Sequence, residues 1–267
     1  VLVSWNGLMI GGLARTARRL GRPELADAAT RAVDFLRAEL WSGGRLKATY
    51  KDGRARFAAY LDDYAFLARG LLELLQVRWR TADLDFAHEL VETLLAHFED
   101  SRGGFFFTSD DHETLIHKPK PFADESVPSG NGVTAGVLVK LGHLLGEQRY
   151  LDAAERTVRA ALHAIERYPE GHATLLHALD EILAPPRLVV VRAPAAELAG
   201  WRAALDARDA AAFDPHRAAF VIPAEATGLR GLLAERRAPA TGGLAYVCEG
   251  MTCRAPLATP SELATAP

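Results

Sequence analysis

Apolar residues along this chain fall into two kinds of helix that take turns. Over residues 7–20 they crowd every face, with Leu8, Met9, Ile10, Leu13, Ala14 and Ala17, and charge arrives only at Arg15, Arg18 and Arg19. Over 23–40 they keep to one face, Leu25, Ala29, Ala32, Leu36 and Leu40, against Glu24, Asp27, Arg31 and Asp34 on the other. The contrast returns in 61–77 followed by 83–98, and again in 132–145 followed by 148–165, where Lys140 is the lone charge of the first member. A helix apolar all round is buried, and one with a single apolar stripe covers something. The pattern therefore predicts helical hairpins, the first helix of each inside and the second outside. Each inner helix opens on a polar-aromatic cluster: Ser4-Trp5-Asn6-Gly7, Asp62-Asp63-Tyr64 and Ser129-Gly130-Asn131. A ring of such hairpins brings the clusters to one mouth.

Two segments between the helices read as β structure, 45–59 and 104–118, the second with Phe105-Phe106-Phe107-Thr108 as its strand core. Beyond Glu170 the character changes. A helix over 171–183 is ended by Pro185-Pro186, and an apolar run at 188–191 reads as a buried strand. A helix over 195–207 and strands at 218–222 and 244–248 complete a β-α-β layer. Residues 260–267 read as a fraying tail.

The expected fold is mainly α, a partial (α/α) toroid with inserted β-hairpins and a small C-terminal α/β extension. Residues 1–184 are expected to form the second half of an (α/α)6 toroid and 185–267 the extension. The chain opens at Val1 in mid-pattern, so the remaining hairpins are expected upstream. A net charge of −3 over 267 residues offers no basic field for nucleic acid or anionic membrane. No apolar run approaches the roughly 20 residues of a membrane span. Cys248 and Cys253 are too few for a disulfide scaffold and suit a reducing, cytoplasmic setting, with their C-x4-C spacing read as a structural turn. The nine histidines show no H-x-x-x-H pair, so no metal and no cofactor is expected.

The chemistry concentrates in the clusters. Adjacent helical residues point about 100° apart, so Asp62 and Asp63 cannot face the same way. Both act as helix caps, or one caps and the other points into the ring. Ser4, Asn6, Ser129 and Asn131 carry the same alternative. Trp5 and Tyr64 beside carboxylates and amides are what a sugar needs, an apolar face to stack on and fixed groups for hydroxyls. The stiff loop from Lys118 to Pro128 delivers Asp124 and Glu125 to the same mouth. Glycoside cleavage uses two carboxylates roughly 5 to 9 Å apart, which Asp63 or Asp62 with Asp124 would supply.

Read in order, Ser4-Trp5-Asn6-Gly7-Leu8-Met9-Ile10, Leu61-Asp62-Asp63-Tyr64-Ala65-Phe66-Leu67, Gly103-Gly104-Phe105-Phe106-Phe107-Thr108 and Pro128-Ser129-Gly130-Asn131 resemble one family, as does the tail with Tyr246-Val247-Cys248, Cys253 and Pro256. It is the thioredoxin-domain-containing family that includes spermatogenesis-associated protein 20 and bacterial YyaL-like proteins. The resemblance implies a toroid similar to six-hairpin glycosidases and N-acylglucosamine 2-epimerases, preceded in the full-length protein by a thioredoxin-like domain. It departs at Asp62, where the family often has Glu, and at Asp124-Glu125, where it has Asp-Gly. Paired histidines serve the epimerases as acid and base, and no histidine is expected to open an inner helix here, so glycoside hydrolase-like chemistry is favoured over 2-epimerisation. The expectation is a carbohydrate-active toroid with Asp63, Asp124 and Asp62 as acids and Trp5, Asn6, Tyr64, Ser129 and Asn131 holding the sugar. The alternative is a non-catalytic scaffold that supports a thioredoxin-like domain.

Overall fold

A computed structural model describes every residue except Thr114, Ala212, Phe213 and Pro267. Three hairpins follow one another: α1 (Val3–Leu20) with α2 (Pro23–Leu40), α3 (Leu61–Val77) with α4 (Thr81–His97), and α5 (Gly130–Leu145) with α6 (Gln148–Arg167). A seventh helix, α7 (Ala173–Leu183), comes next. α1 packs on α3, α3 on α5 and α5 on α7, while α2, α4 and α6 each lie against the helix before them. The helices with the fewest polar positions are inside, as their pattern requires. α3 and α5 are buried nearly all round. α1 is less enclosed, since Trp5 and Met9, one turn apart, face solvent.

Glycine sets how closely the inner helices approach. A Cβ on Gly7 would come within 2.6 Å of the Leu67 nitrogen, and one on Gly70 within 2.7 Å of the Gly7 carbonyl oxygen. α1 and α3 therefore touch backbone to backbone.

The first β segment is present as β1 (Trp41–Ser42), β2 (Arg45–Lys51) and β3 (Arg54–Ala58), an antiparallel meander. The second is not. Among the described residues of 104–118, which exclude Thr114, the pairing is a single bridge between Phe105 and Glu99. The backbone there finds other partners: Phe106 N–H donates to the Phe98 carbonyl, Phe107 N–H to that of Pro119, and Phe107 accepts from Leu61 N–H. The phenylalanines are apolar enough for a strand, but helix ends and a side chain take the groups that a ladder would use.

The C-terminal layer forms as expected. β4 (Arg187–Ala193), α8 (Leu198–Ala211) and β5 (Arg217–Pro223) make a parallel crossover unit. After a short α9 (Gly231–Glu235), β6 (Leu244–Glu249) adds antiparallel to β4 and β7 (Thr252–Cys253) to β6, giving the order β5-β4-β6-β7. Side chains alternate across a strand. Leu188 and Val190 join the helical core, while Val189 and Val191 pack with Trp201 and Leu205 of α8 on the other face.

Two local expectations are corrected here. Cys248 and Cys253 face each other across the expected turn between β6 and β7 and form a disulfide, so the turn carries a covalent staple in place of the thiols of a reducing setting. Residues 260–265 are not a frayed tail but a helix, α10 (Pro260–Thr265), whose Leu263 is buried. Thr259 and Glu262 form a capping box and Pro260 occupies the first turn, a start signal present in the sequence. Pro267 lies outside the described residues. No helix among the described residues is long and apolar enough to cross a membrane.

Candidate functional site

The N-termini of α1, α3, α5 and α7 meet at one end of the arc, where buried side chains stitch them together. Asp63 Oδ1 accepts the Ser4 N–H at 2.9 Å and its Oδ2 accepts the Tyr60 N–H at 2.9 Å, joining the starts of α1 and α3. Asp124 does the same for α5 and α7: its Oδ1 accepts the Ser129 N–H at 2.7 Å and the Thr174 hydroxyl at 2.6 Å, and its Oδ2 accepts the Thr174 N–H at 2.8 Å. Asn131, 0% exposed, brackets the phenylalanine segment. Its Oδ1 accepts the Phe105 N–H at 2.6 Å, and its Nδ2 donates to the carbonyls of Phe105 and Pro121. Ser129 caps α5 by accepting the Gly132 N–H.

Most of the residues expected to touch substrate are therefore committed to the protein's own backbone. Helix starts leave N–H groups unpaired, and these side chains are the nearest acceptors. Tyr64 is buried, with its hydroxyl accepting the Leu46 N–H at 2.9 Å and its ring against Phe98, so it offers no face to a sugar. Ser4, Trp5 and Asn6 lie inside the first turn of α1 and not ahead of it. Asn6 donates to the Leu2 carbonyl, and Trp5, 66% exposed, lines none of the described cavities.

Asp62 is different. It has no hydrogen bond or ion pair among the described residues, and its Oδ1 lies where a Cβ on Gly130 would come within 2.2 Å. Burial, with the Asp63 charge adding to it, pushes the Asp62 carboxyl up to about 6. Asp63 is also pushed up to about 6, because burial outweighs the N–H groups of Tyr60 and Ser4.

Asp62 itself lines none of the described cavities. Two turns further along α3, about 10 Å away on the same helix face, is Arg69, followed by Glu73 and Gln76. α1 adds Arg15, α5 adds Gly132, Gly136 and Lys140, and α7 adds Thr174, His177 and Glu181. These side chains line a groove made of two adjoining cavities of ≈ 40 and ≈ 360 Å³. A third cavity, ≈ 380 Å³, lies beyond, between the ends of α1 and α3 and the layer made by α8 and β5. It shares Arg18, Arg19, Gln76, Asp214 and Arg217 with the groove. We place the candidate site in the groove because charged side chains of the inner helices converge there.

The groove is held by ion pairs. Arg15 meets Glu73 at 2.8 Å, and Glu181 Oε1 receives Lys140 and lies 3.4 Å from His177 Nε2. Burial raises the Glu73 carboxyl, but the Arg15 hydrogen bond and the nearby cations overcome it, and the net displacement is downward. Glu181 Oε2 is buried without a hydrogen-bond partner. Arg69 has no hydrogen bond or ion pair among the described residues, and burial and Arg15 lower its pKa. Burial also lowers the pKa of His177, against the nearby Glu181 charge. A histidine does open an inner helix: His172 precedes α7, buried, with Nδ1 2.7 Å from the Tyr168 carbonyl oxygen.

The charged groove residues lie in mid-helix, away from the polar clusters at the helix starts, and the sequence reading does not single them out as a site. A signal exists, since Lys140, Arg69 and Glu73 interrupt otherwise apolar buried helices, and a charge there faces a cavity or a partner. His97, Asp110 and Asp111 bring potential metal-ligand atoms within 4.8 Å of one another on the surface. His97 is bonded to Asp110 and Asp111 to Arg45, an arrangement that surface ion pairs explain.

No family model matches the chain. It is 28% identical to human spermatogenesis-associated protein 20 over 98% of its own length and 35% of that protein's, and 33% identical to the mouse protein of that name over 63% of its length and 23% of that protein's. The chain thus spans about a third of the human relative or less. Among solved structures it resembles a family 105 glycoside hydrolase of C. acetobutylicum ATCC 824, with TM-score 0.51 and 14% identity over 61% of this chain and 48% of that one. That likeness concerns the fold alone, a partial (α/α) toroid of the six-hairpin glycosidase kind.

Proposed function

Since the chain is homologous to spermatogenesis-associated protein 20 and carries a glycosidase-like toroid, we propose that its groove binds carbohydrate and that Asp62, two turns before Arg69 on α3, is the acid of a glycosidase-like reaction. The observation that carries this reading is Asp62 itself. Among the predicted rim carboxylates, Asp63 and Asp124 are used as caps, while Asp62 has no hydrogen-bond partner and is pushed up to about 6. A general acid works best with a pKa near the operating pH. The groove supplies donors on Arg69 for sugar hydroxyls. The C. acetobutylicum protein that shares the toroid is a glycoside hydrolase, which agrees with this reading.

The test is a thermal-shift screen of the purified protein against mono- and oligosaccharides, followed by turnover of whichever oligosaccharide binds. Binding raises the melting temperature whether or not turnover follows. Asp62→Asn is expected to keep binding and to lower turnover by about 100-fold or more. Full turnover by that variant would remove Asp62 from the role.

A second reading is a non-catalytic scaffold that supports a thioredoxin-like domain in a longer protein. It is favoured by Asp63, Asp124, Ser129 and Asn131, whose polar atoms all serve helix starts and loops. It requires that no sugar binds.

A further inference from the structure

The deep end of the groove has more guanidinium donors than its carboxylates occupy. In the ≈ 360 Å³ cavity, Glu73 is taken by Arg15 and Glu181 by Lys140. Three further arginines line the same wall. Arg69 has no bonded partner among the described residues. Arg18 Nη1 donates to Gln76 Oε1 at 2.6 Å, but its Nε is buried and unbonded. Arg217 pairs with Asp209, yet its Nη1 is buried and unbonded, and its side chain is only 4% exposed.

These cations are also under mutual strain. Burial first, then neighbouring cations, lower the pKa of Arg18 and of Arg69, and the same causes lower Arg217 to about 10. Asp214 is the remaining carboxylate on the wall, and it lies 3.5 Å from Arg187. Buried guanidinium groups with spare donors and like-charged neighbours are stabilised by an anion with several acceptor oxygens, a carboxylate or a phosphate. Two layers of the fold build the wall together. Arg18 and Arg69 come from inner helices, whereas Arg217 starts β5, so the C-terminal layer closes the groove and contributes to its chemistry.

We propose that the ligand of this groove is an anionic sugar, a sugar acid or a sugar phosphate, whose charged group is held by Arg69, Arg18 and Arg217. This rests on the carbohydrate reading of the same groove.

Titration calorimetry of the purified protein with glucose, glucuronate, glucose 6-phosphate and inorganic phosphate, at matched ionic strength, tests it. One of the two anionic sugars is expected to bind at least about tenfold more tightly than glucose, and the tighter one identifies the group recognised. In Arg69→Gln the ratio of anionic-sugar to glucose affinity is expected to fall toward one. Raising salt on the unaltered protein should weaken the anionic sugar and leave glucose alone, a readout that survives if the variant misfolds. Equal binding of glucose and the anionic sugars, with no salt effect, would overturn the inference and leave the carbohydrate reading standing. Salt-sensitive binding of inorganic phosphate with no sugar bound would keep the anion wall, remove the sugar from the proposal and refute the carbohydrate reading. No binding of any probe would sink both.

Discussion

Replacing Asp124 separates a cap from a catalyst. Its carboxylate accepts three hydrogen bonds, from the Ser129 N–H, the Thr174 N–H and the Thr174 hydroxyl, and so secures the starts of α5 and α7 at once. Losing one helix cap costs about 0.5–2 kcal/mol. Asp124→Ala removes the acceptor for two helix starts and leaves backbone N–H groups in a partly buried site, so about 2–4 kcal/mol should be lost. Asp124→Asn is milder. Its Oδ1 can still accept from Ser129 and from the Thr174 hydroxyl, but its amide meets the Thr174 N–H donor to donor, for a loss of about 1–2 kcal/mol. Urea denaturation followed by far-ultraviolet circular dichroism reads both values, and melting points should fall by about 2–4 °C per kcal/mol. The order Ala, then Asn, then the unaltered protein is expected in stability, with the anionic-sugar affinity of folded Asp124→Asn changed little. If Asp124→Ala unfolds within about 0.5 kcal/mol of the unaltered protein, the cap assignment is wrong and the residue returns as an acid–base candidate.

Other outcomes follow from the same geometry. Asp62 has a folded pKa raised from 3.8 to about 6, so the native state holds its proton longer than the unfolded chain does, and its contribution to stability is lost as pH rises through that window. Asp62→Asn should therefore gain about 1–2 kcal/mol at pH 7, discounted for the water on its open side, and nothing below pH 4, as urea midpoints at the two pH values will show. Gly7→Ala drives a Cβ to 2.6 Å from the backbone of α3 and should lose about 1–3 kcal/mol, whereas Gly12→Ala, with nothing within 4 Å, should gain up to about 1 kcal/mol from helix propensity. A reversed order in melting temperature would contradict the close crossing of α1 and α3. Cys253→Ser opens a disulfide that closes a loop of sequence separation 5 and should cost about 2 kcal/mol under oxidising conditions, with no difference once reductant is added.

The hydrophobic pattern alone was enough to locate six of the seven main helices nearly to the residue and to sort them into inner and outer. An all-apolar helix such as α5 has no solvent face to offer, and an amphipathic one such as α2 has one stripe to bury, so sequence settles which lies inside. The strands of the C-terminal layer were equally legible, because Val189 and Val191 and their neighbours Leu188 and Val190 leave no polar face. Asp124, Asn131 and Asp63 were visible as polar residues at helix starts, but a cap and a substrate ligand look identical in sequence. Only the tertiary structure could choose, since the choice depends on which unpaired N–H groups a fold brings within about 3 Å of each side chain. The same is true of the Phe105 segment, whose strand composition yielded to Asn131, and of the Cys248–Cys253 staple, which depends on register. Arg18, Arg69 and Arg217 are far apart along the chain and become one wall only when β5 docks against the inner helices. The sequence by itself determined the kind, order and buried faces of the helices, because local periodicity encodes them. The tertiary structure decided which charges are spent and which remain open, because that depends on partners brought together from distant parts of the chain.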